Sequence, residues 1–385
     1  MTTNEKLTNL SNKLNTNQPI KIAIAGLGSV GNYLLNYLLD LDYGIELHII
    51  GRSQEKMQCD LNIAQVAAGI RKRPFTFCFI HEADLNNISQ LADVIGKINP
   101  DFIVNSSRAY SNLKYGSISW NTVRAYGIWS PLSVKYIKNI MQAVQDSGTN
   151  PIVINTSYSD AVNAWIKTAG KLYPDFGSGN LNHLIPRIRF AVAKECRIKD
   201  VDNIEITLAV SHFHDVVISK EGQTEGVTPL IAIRYNNENV QVDLSKIFAS
   251  CAIPMPVDAK RNMMNASSNF EIISTILRAI STQTKQTLHI PGAMGLIGGY
   301  PVNINGSDVT INEDYFTLSQ MQELNRKSIY LDGIENVENG MLFYTDELIE
   351  KTKKHFGYIL PKQVNIDQSN DVATEIITNI IEKRL

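Results

Sequence analysis

The sequence has few cysteines, almost no excess charge and no long apolar run, and each absence excludes a class of protein. Its four cysteines show no Cys-x-x-Cys or Cys/His spacing, which argues against a metal site and favours reduced, mostly buried thiols. A formal net charge of −2 makes nucleic acid or an acidic membrane surface an unexpected partner. No run of about 18 apolar residues is present, so we expect no membrane span.

The first 19 residues also lack what a targeting segment needs. They contain no apolar core like that of a signal peptide and no arginine, in contrast to a transit peptide. Because they are polar and rich in Asn and Thr, we interpret residues 1–19 as a polar tail. The composition, with 44% hydrophobic and 19% charged residues, is ordinary for a soluble globular protein, and the expected reduced thiols favour a cytoplasmic one. A chain of 385 residues can form two packed domains.

Residues 20–156 alternate short apolar runs with segments that have one apolar face at helical spacing. Five such runs, rich in Ile and Val, predict strands that are buried on both sides. Strict alternation of such strands with helices predicts a parallel sheet covered by helices on both faces. We therefore expect an α/β, Rossmann-type, doubly wound dinucleotide-binding domain over residues 20–156.

Residues 157–385 have a different pattern, which indicates an α+β substrate or catalytic domain. We predict a helix that begins at Pro186, a strand over residues 203–213 and a hairpin within residues 228–245. The Asn305-Gly306 pair predicts a second tight hairpin. Residues 342–358 and 373–385 have helical patterns.

A Gly-x-Gly-x-x-Gly motif follows the first predicted strand directly and begins the next helix. In such a motif Gly26 allows the tight turn, Gly28 lets the backbone approach a pyrophosphate, and Gly31 lets helix and strand pack closely. The helix N-terminus, with Ser29 and Val30, offers free N–H groups to phosphates. We predict cofactor binding here; the alternative is a strand–helix junction that only requires small residues.

The tip of the second predicted strand favours NADP over NAD. An acidic residue there would bind the ribose hydroxyls of NAD, but the expected position is Gly51, followed by Arg52 and Ser53. A guanidinium and a hydroxyl without a repelling carboxylate suit the 2′-phosphate of NADP. The alternative is a solvated arginine on a turn, which would leave NAD as the cofactor.

Three features of the rest of the chain occur together. Asn155 ends the fifth predicted strand, a Gly-rich segment leads into Arg187, and His212 and His214 lie near the end of a later predicted strand. In this order and at nearly this spacing, the chain resembles the lactate/malate dehydrogenase superfamily over roughly residues 20–360. The resemblance implies that family's fold, a nicotinamide cofactor, and a homodimer or homotetramer.

The resemblance also implies roles for these residues. Asn155 would contact the nicotinamide side and a substrate oxygen, and Arg187 would form a forked pair with a substrate carboxylate. His212 would donate the proton to a carbonyl oxygen, with His214 as the alternative if the register differs. The carboxylate that orients the family's histidine has no counterpart, because Leu184 occupies that position. The nearby Asn182 and His183 are the candidates to replace it.

The segment over residues 106–133 corresponds to the family's mobile substrate loop. Arg124 is the better placed of its two candidate closing arginines, the other being Arg108. The segment is also unusually aromatic, which suggests a bulky or aromatic substrate or else a subunit contact. Its aromatic residues are Tyr110, Tyr115, Trp120, Tyr126 and Trp129.

These observations predict an NAD(P)-dependent dehydrogenase or reductase acting on a carbonyl or imine carbon next to a carboxylate, so that the partner is a small-molecule carboxylate. Two alternatives remain. An opine- or amino-acid-type dehydrogenase acting on a C=N bond would share the glycine motif. The altered histidine motif is also compatible with a catalytically silent NADP-binding regulatory protein.

Overall fold

The computed structural model describes residues 1–110 and 112–384, without the side chains of residues 112–115 and 117. Its strands are β1 (Ile20–Ala25), β2 (Ile45–Gly51), β3 (Phe77–Glu82), β4 (Phe102–Asn105), β5 (Ile152–Asn155), β6 (Phe176–Gly177), β7 (Ile204–Ala209), β8 (Leu230–Tyr235), β9 (Glu238–Asn239), β10 (Gln286–Pro291), β11 (Gly299–Ile304), β12 (Val309–Ile311), β13 (Ile334–Glu338), β14 (Met341–Tyr344) and β15 (Gln363–Asn365). Its helices are α1 (Thr3–Asn15), α2 (Ser29–Leu38), α3 (Gln54–Ile70), α4 (Ile88–Ile98), α5 (Asn112–Thr122), α6 (Ser130–Ser147), α7 (Ser159–Thr168), α8 (Leu181–Glu195), α9 (His212–Glu221), α10 (Leu244–Cys251), α11 (Asn262–Thr282), α12 (Leu318–Leu331), α13 (Asp346–Phe356) and α14 (Ser369–Ile376).

The first half of the chain forms a parallel six-stranded sheet in the order β3-β2-β1-β4-β5-β6. The predicted doubly wound sheet is confirmed, because helices follow β1 to β5 and the central strands are almost wholly buried. The strand order reverses between β1 and β4, and ligands of such sheets bind at this switch point, outside the carboxyl ends of the strands. The sixth strand, β6, lies beyond residue 156.

The second half contains three small antiparallel sheets, β7-β8-β9, β10-β11-β12 and β13-β14-β15, together with helices. Both predicted hairpins are present, as β8–β9 and as β11–β12 around Asn305-Gly306. Three predictions are wrong in detail. Pro186 lies inside α8, where it costs one backbone hydrogen bond, instead of starting the helix. The predicted strand over 203–213 ends at Ala209, and residues 341–344 are a strand that pairs with β13 and β15.

The expected polar tail is instead an ordered helix, α1. Thr2 and Glu5 form a capping box at its start, and two of its three leucines, Leu7 and Leu10, are buried. Lys6 Nζ lies 2.7 Å from the Asp175 carboxylate, and both side chains are 4% exposed. The sequence pattern did not predict this helix, because it has few apolar residues. A capping box and a buried ion pair contribute to holding it in place.

A cluster of buried apolar residues joins the two halves of the chain. Ile24 of β1 and Leu34 of α2 belong to the same cluster of buried residues as Ile273 of α11 and Ile290 of β10. Within the described residues, no helix combines the length and the apolar character needed to cross a membrane. All four cysteines are free, but Cys59 and Cys196 are exposed, so the expectation of mostly buried thiols holds only for Cys251.

Candidate functional site

A cavity of about 560 Å³ lies at the carboxyl ends of β1, β2 and β4, at the switch point of the sheet. We call it the glycine-loop cavity, because Gly26 and Gly28 form part of its wall. Arg52, Ser53 and Lys56 line its other side, where β2 leads into α3. The predicted cofactor residues from both segments therefore meet at one cavity.

The glycines of the motif have the conformations and contacts that the motif requires. Gly26 has φ of 95°, and a Cβ atom there would lie 1.9 Å from Ser107 Oγ. A Cβ atom on Gly31 would lie 2.4 Å from the carbonyl oxygen of Gly26, so this position needs glycine for close packing. Gly28 faces open space and begins α2 without a side-chain cap. The free N–H groups of α2 suit a phosphate-bearing group such as a dinucleotide.

The tip of β2 presents cationic and hydroxyl groups to the same cavity. Arg52 is exposed and forms no hydrogen bond or ion pair with the described residues. Ser53 caps the N-terminus of α3, and its Oγ accepts a hydrogen bond from Lys56 N–H, which leaves the hydroxyl hydrogen free to donate. A side chain at Gly51 would require Met57 to move, since a Cβ atom there would lie 2.7 Å from Met57 Sδ.

Two further cavities extend from the glycine-loop cavity into the second half of the chain. A connecting cavity of about 160 Å³ includes Ser29 and Val30, and a histidine cavity of about 230 Å³ includes His212. Arg108 lines all three cavities, and Asn262 lines the last two. The three cavities are therefore adjacent and extend in a row from the glycine motif to His212.

His212 begins α9, and a buried carboxylate holds its ring. Its Nδ1 lies 2.8 Å from Asp332 Oδ2, and Asp332 is fully buried. Asp332 also accepts hydrogen bonds from the Tyr158 hydroxyl and from Tyr126 N–H, both 2.7 Å long. The rings of Tyr126 and Tyr158 pack edge-on against the imidazole. Among the described residues, Nε2 of His212 has no hydrogen-bond partner, so this nitrogen is left for a ligand.

The surroundings of His212 favour its protonated form. Burial alone would lower the pKa of His212, but the charge and hydrogen bond of Asp332 outweigh burial and raise the pKa above its ordinary value. The Asp160 carboxylate accepts a hydrogen bond from His212 N–H at 3.0 Å. Burial raises the pKa of Asp160 to about 6, against the opposing effect of the nearby His212. The histidine is thus fixed at both its backbone and its Nδ1.

A second histidine, His183, lies in the wall of the histidine cavity. Its Nδ1 is 3.3 Å from Asp215 Oδ2, and Asp215 lines the same cavity. Burial would raise the pKa of Asp215, but the charge and hydrogen bond of His183 outweigh burial and lower it. His183 does not replace the missing carboxylate partner of His212, since Asp332 fills that role.

The predicted carboxylate-binding arginine, Arg187, is not in the cavity wall as far as the described residues define it. It is 3% exposed, and its Nη1 donates to the Cys251 carbonyl at 2.8 Å. Position 187 falls in the middle of α8, which begins earlier than predicted, so the guanidinium points into the core. The cations that do line the histidine cavity are Arg108, Lys220 and Arg261.

Asn155, Arg124 and His214 are also engaged elsewhere, which corrects their predicted roles. The Asn155 amide is fully buried and bonded to Asn105 and Asn163, so it stabilises the ends of β4 and β5. Arg124 forms ion pairs with Glu221 and Glu225 instead of closing over a ligand. His214 is fully buried between Ser328 and the Val227 carbonyl, and burial lowers its pKa to about 4. Of the two candidate histidines, only His212 lines the cavity.

The predicted substrate loop contains a helix, α5, and contributes aromatic side chains to the histidine cavity. Tyr126 and Trp129 line it, whereas Trp120 is buried and hydrogen-bonded to Glu221. The side chain of Tyr115 lies outside the described residues. Sequence patterns did not identify Asp332, Asp160 or Tyr158, because they reach His212 from elements distant in the chain.

The fold is similar to that of known dehydrogenases. No protein-family model and no curated protein matches the sequence. Among solved structures, the malate dehydrogenase from Aeropyrum pernix superposes with a TM-score of 0.53 at 14% identity, over 81% of this chain and 97% of that one. Malate dehydrogenase from Cryptosporidium parvum gives a TM-score of 0.51 at 14% identity, over 82% and 98%. The chain therefore has the lactate/malate dehydrogenase-like fold that the sequence resemblance implied.

Proposed function

We propose that this chain is a nicotinamide-dependent oxidoreductase that prefers NADP to NAD and acts on a carbonyl or imine carbon next to a carboxylate. The observation that carries the proposal is the row of adjacent cavities from the glycine motif to His212, whose Nδ1 is held by a buried carboxylate. The cofactor, when bound, supplies or accepts the hydride. The fold, shared with two malate dehydrogenases, agrees with this chemistry.

Each part of this row of cavities has a role in this proposal. The N-terminus of α2 with Gly26 and Gly28 binds the pyrophosphate, and Arg52 with Ser53 binds the 2′-phosphate of NADP. His212 holds a proton at Nε2, next to the substrate oxygen or nitrogen, while Asp332 fixes the ring and stabilises the imidazolium. Arg261 takes over the carboxylate-binding role predicted for Arg187, since it lies in the wall of the histidine cavity.

The alternative of a silent regulatory protein rested on the missing carboxylate at position 184 and on the altered histidine motif. Asp332 supplies a carboxylate to His212 from another element, which removes the first of these two reasons. We also propose that the chain self-associates, because α3, β3 and the loop between them expose several large apolar side chains, as oligomer interfaces do. These side chains are Ile63, Val66, Ile70, Phe75, Phe77 and Phe79.

Cofactor titration tests the proposal directly. The purified protein is titrated with NADPH and with NADH while nicotinamide fluorescence is followed, and the titration is repeated with Arg52→Ala. We expect tighter binding of NADPH, weakened by about tenfold or more in Arg52→Ala, because one charge-assisted contact to the 2′-phosphate is lost. NADH binding should change little.

Arg326→Ala, which removes an exposed arginine of α12, is the matched control and should bind both cofactors like the wild type. Equal affinity for NADPH and NADH would contradict the NADP preference. Binding of neither cofactor would contradict the oxidoreductase proposal as a whole.

A further inference from the structure

The histidine cavity contains a second histidine–carboxylate pair that the proposed reaction does not use. His183 of α8 faces Asp215 of α9, with 3.3 Å between Nδ1 and Oδ2. The Ser219 hydroxyl donates to the other oxygen of Asp215, also at 3.3 Å. Two donors from two helices therefore hold this carboxylate, which in turn orients the His183 ring. All three side chains line the cavity that contains His212.

The other nitrogen of His183 is buried and unsatisfied. The side chain is 9% exposed, and its Nε2 has no hydrogen-bond partner among the described residues. Buried polar atoms nearly always have a partner, because an unpaired one forfeits its hydration without compensation. An unpaired nitrogen in a cavity wall next to a candidate reaction centre indicates that a ligand completes the site.

The chemistry of the His183–Asp215 pair determines which kind of ligand group can bind to His183 Nε2. In the neutral form of His183, Nδ1–H donates to Asp215 and Nε2 is a hydrogen-bond acceptor. It therefore selects a donor, such as a hydroxyl or an amino group. An anionic group of the substrate has other partners in the same wall, namely the cations Arg108, Lys220 and Arg261.

We propose that His183, in its neutral form and oriented by Asp215, accepts a hydrogen bond from a hydroxyl or amino group that the substrate carries in addition to its carboxylate and its reacting carbon. This inference rests on the proposed function and narrows its substrate class to hydroxy- or amino-substituted 2-oxo acids and their imines. His183 contacts the substrate, and Asp215 is a positioning residue.

Matched substrate pairs test the inference. The pairs are hydroxypyruvate and pyruvate, 4-hydroxy-2-oxobutanoate and 2-oxobutanoate, and 4-hydroxyphenylpyruvate and phenylpyruvate, which differ only in one hydroxyl group. NADPH oxidation gives kcat/KM for each compound, and calorimetry gives its affinity without requiring turnover. For at least one pair, we expect the wild type to favour the hydroxylated member by about tenfold or more.

Two variants test whether His183 and Asp215 cause the preference for the hydroxylated compound. His183→Phe keeps the shape of the ring but has no acceptor, so it should handle both members of the pair within about twofold of each other. Asp215→Asn keeps an oxygen for Ser219 but places an amide N–H against Nδ1, which favours the tautomer with Nε2 protonated. It should therefore lose the preference as well. His355→Phe, which makes the same replacement at an exposed histidine of α13, should retain it.

The outcomes separate this inference from the proposed function. A hydroxyl preference in the wild type that disappears in His183→Phe and Asp215→Asn supports the inference. Turnover without hydroxyl preference, or a preference that persists in His183→Phe, overturns it and leaves the oxidoreductase proposal intact. Absence of NADPH binding and of turnover overturns the oxidoreductase proposal. In that case the calorimetric affinities still test whether His183 binds a hydroxyl group. Equal affinities within every pair of compounds would overturn that role of His183.

Discussion

At the residue scale, the chemistry of the site depends on a carboxylate that local spacing could not reveal. Leu184 occupies the position where the resemblance implies an orienting acid. Asp332, at the end of α12 and 120 residues beyond His212, supplies the carboxylate instead. Three hydrogen bonds hold Asp332, so its position is fixed before a ligand binds. The histidine is thus preorganised by a residue from a different element.

Replacing Asp332 should change both the rate and its pH dependence. Asp332→Asn removes the charge that raises the pKa of His212, so the loss of the proton from His212 moves to lower pH. Reduction needs the protonated histidine, and kcat/KM for reduction should therefore decline at lower pH than in the wild type. The rate should also fall by roughly 10²- to 10⁴-fold. A kcat/KM profile from about pH 5 to about pH 9 measures both effects.

Asp314→Asn is the matched control for this prediction, because Asp314 is an exposed aspartate whose side chain is 58% accessible. Its profile should coincide with that of the wild type. An Asp332→Asn enzyme with an unchanged profile would show that His212 is not the titrating proton donor.

A second prediction distinguishes Arg261, which we propose binds the substrate carboxylate, from Arg187, which the sequence had predicted for that role. Arg261 lines the histidine cavity, so Arg261→Gln should raise KM for the carboxylate substrate by about tenfold or more with a smaller effect on kcat. Arg187 is buried against the Cys251 carbonyl, so Arg187→Gln should instead lower the free energy of unfolding by about 1–3 kcal/mol. Steady-state kinetics and urea denaturation of both variants separate these effects. The opposite assignment of KM and stability would return the carboxylate role to Arg187.

At the element scale, the sequence predicted the elements whose signals are local. The strands of the parallel sheet were predictable because each combines a buried apolar run with a following helical pattern. The glycine motif and the Asn305-Gly306 turn were predictable because backbone geometry demands those residues. Helix α12, which carries Asp332 at its end, and the sheet β13-β14-β15 were not predicted, since their stability depends on packing against distant elements.

Helix α1 provides the prediction at this scale. Lys6→Met leaves the Asp175 carboxylate buried with only the Thr3 hydroxyl and Val153 N–H as donors. Losing one partner of a buried ion pair should lower the free energy of unfolding by about 3–5 kcal/mol. Lys13→Met breaks the more exposed pair with Asp101, whose carboxylate is 17% exposed, and should cost about 1 kcal/mol. Equal losses in urea denaturation would show that α1 is not held by its buried pair.

At the scale of the whole molecule, the site residues divide into those with local and those with distant partners. Gly26, Gly28 and Arg52 line the cavity that the sequence predicts, because strand, turn and helix alone determine their positions. Asn155 and Arg187 were also predicted to lie in the site, but their side chains are hydrogen-bonded inside the fold, to Asn163 and to the Cys251 carbonyl. A resemblance at low identity therefore gave the fold and the location of the cavities more reliably than the residues that face them.

Buried histidines should make the stability of the whole molecule sensitive to acid. Burial lowers the pKa of His289 to about 4, and its Nε2 accepts a hydrogen bond from Leu208 N–H in the neutral state. An unfolded histidine titrates near pKa 6.5, so between about pH 6.5 and about pH 4 the unfolded chain binds a proton that the folded chain does not. The stabilising contribution of His289 is thus complete above that window. It is lost as the pH falls through the window, on the order of 3 kcal/mol.

His214, whose pKa burial also lowers to about 4, adds a second loss of the same sign, whereas Asp160, with a pKa raised to about 6, opposes it. A single variant isolates one contribution. His289→Gln keeps an acceptor for Leu208 N–H but cannot titrate, so its free energy of unfolding should decrease less than that of the wild type between about pH 7 and about pH 4, by roughly 3 kcal/mol. Urea denaturation at several pH values measures the two curves. Parallel curves would mean that His289 binds its proton equally in both states, and acid sensitivity would then have to come from other groups.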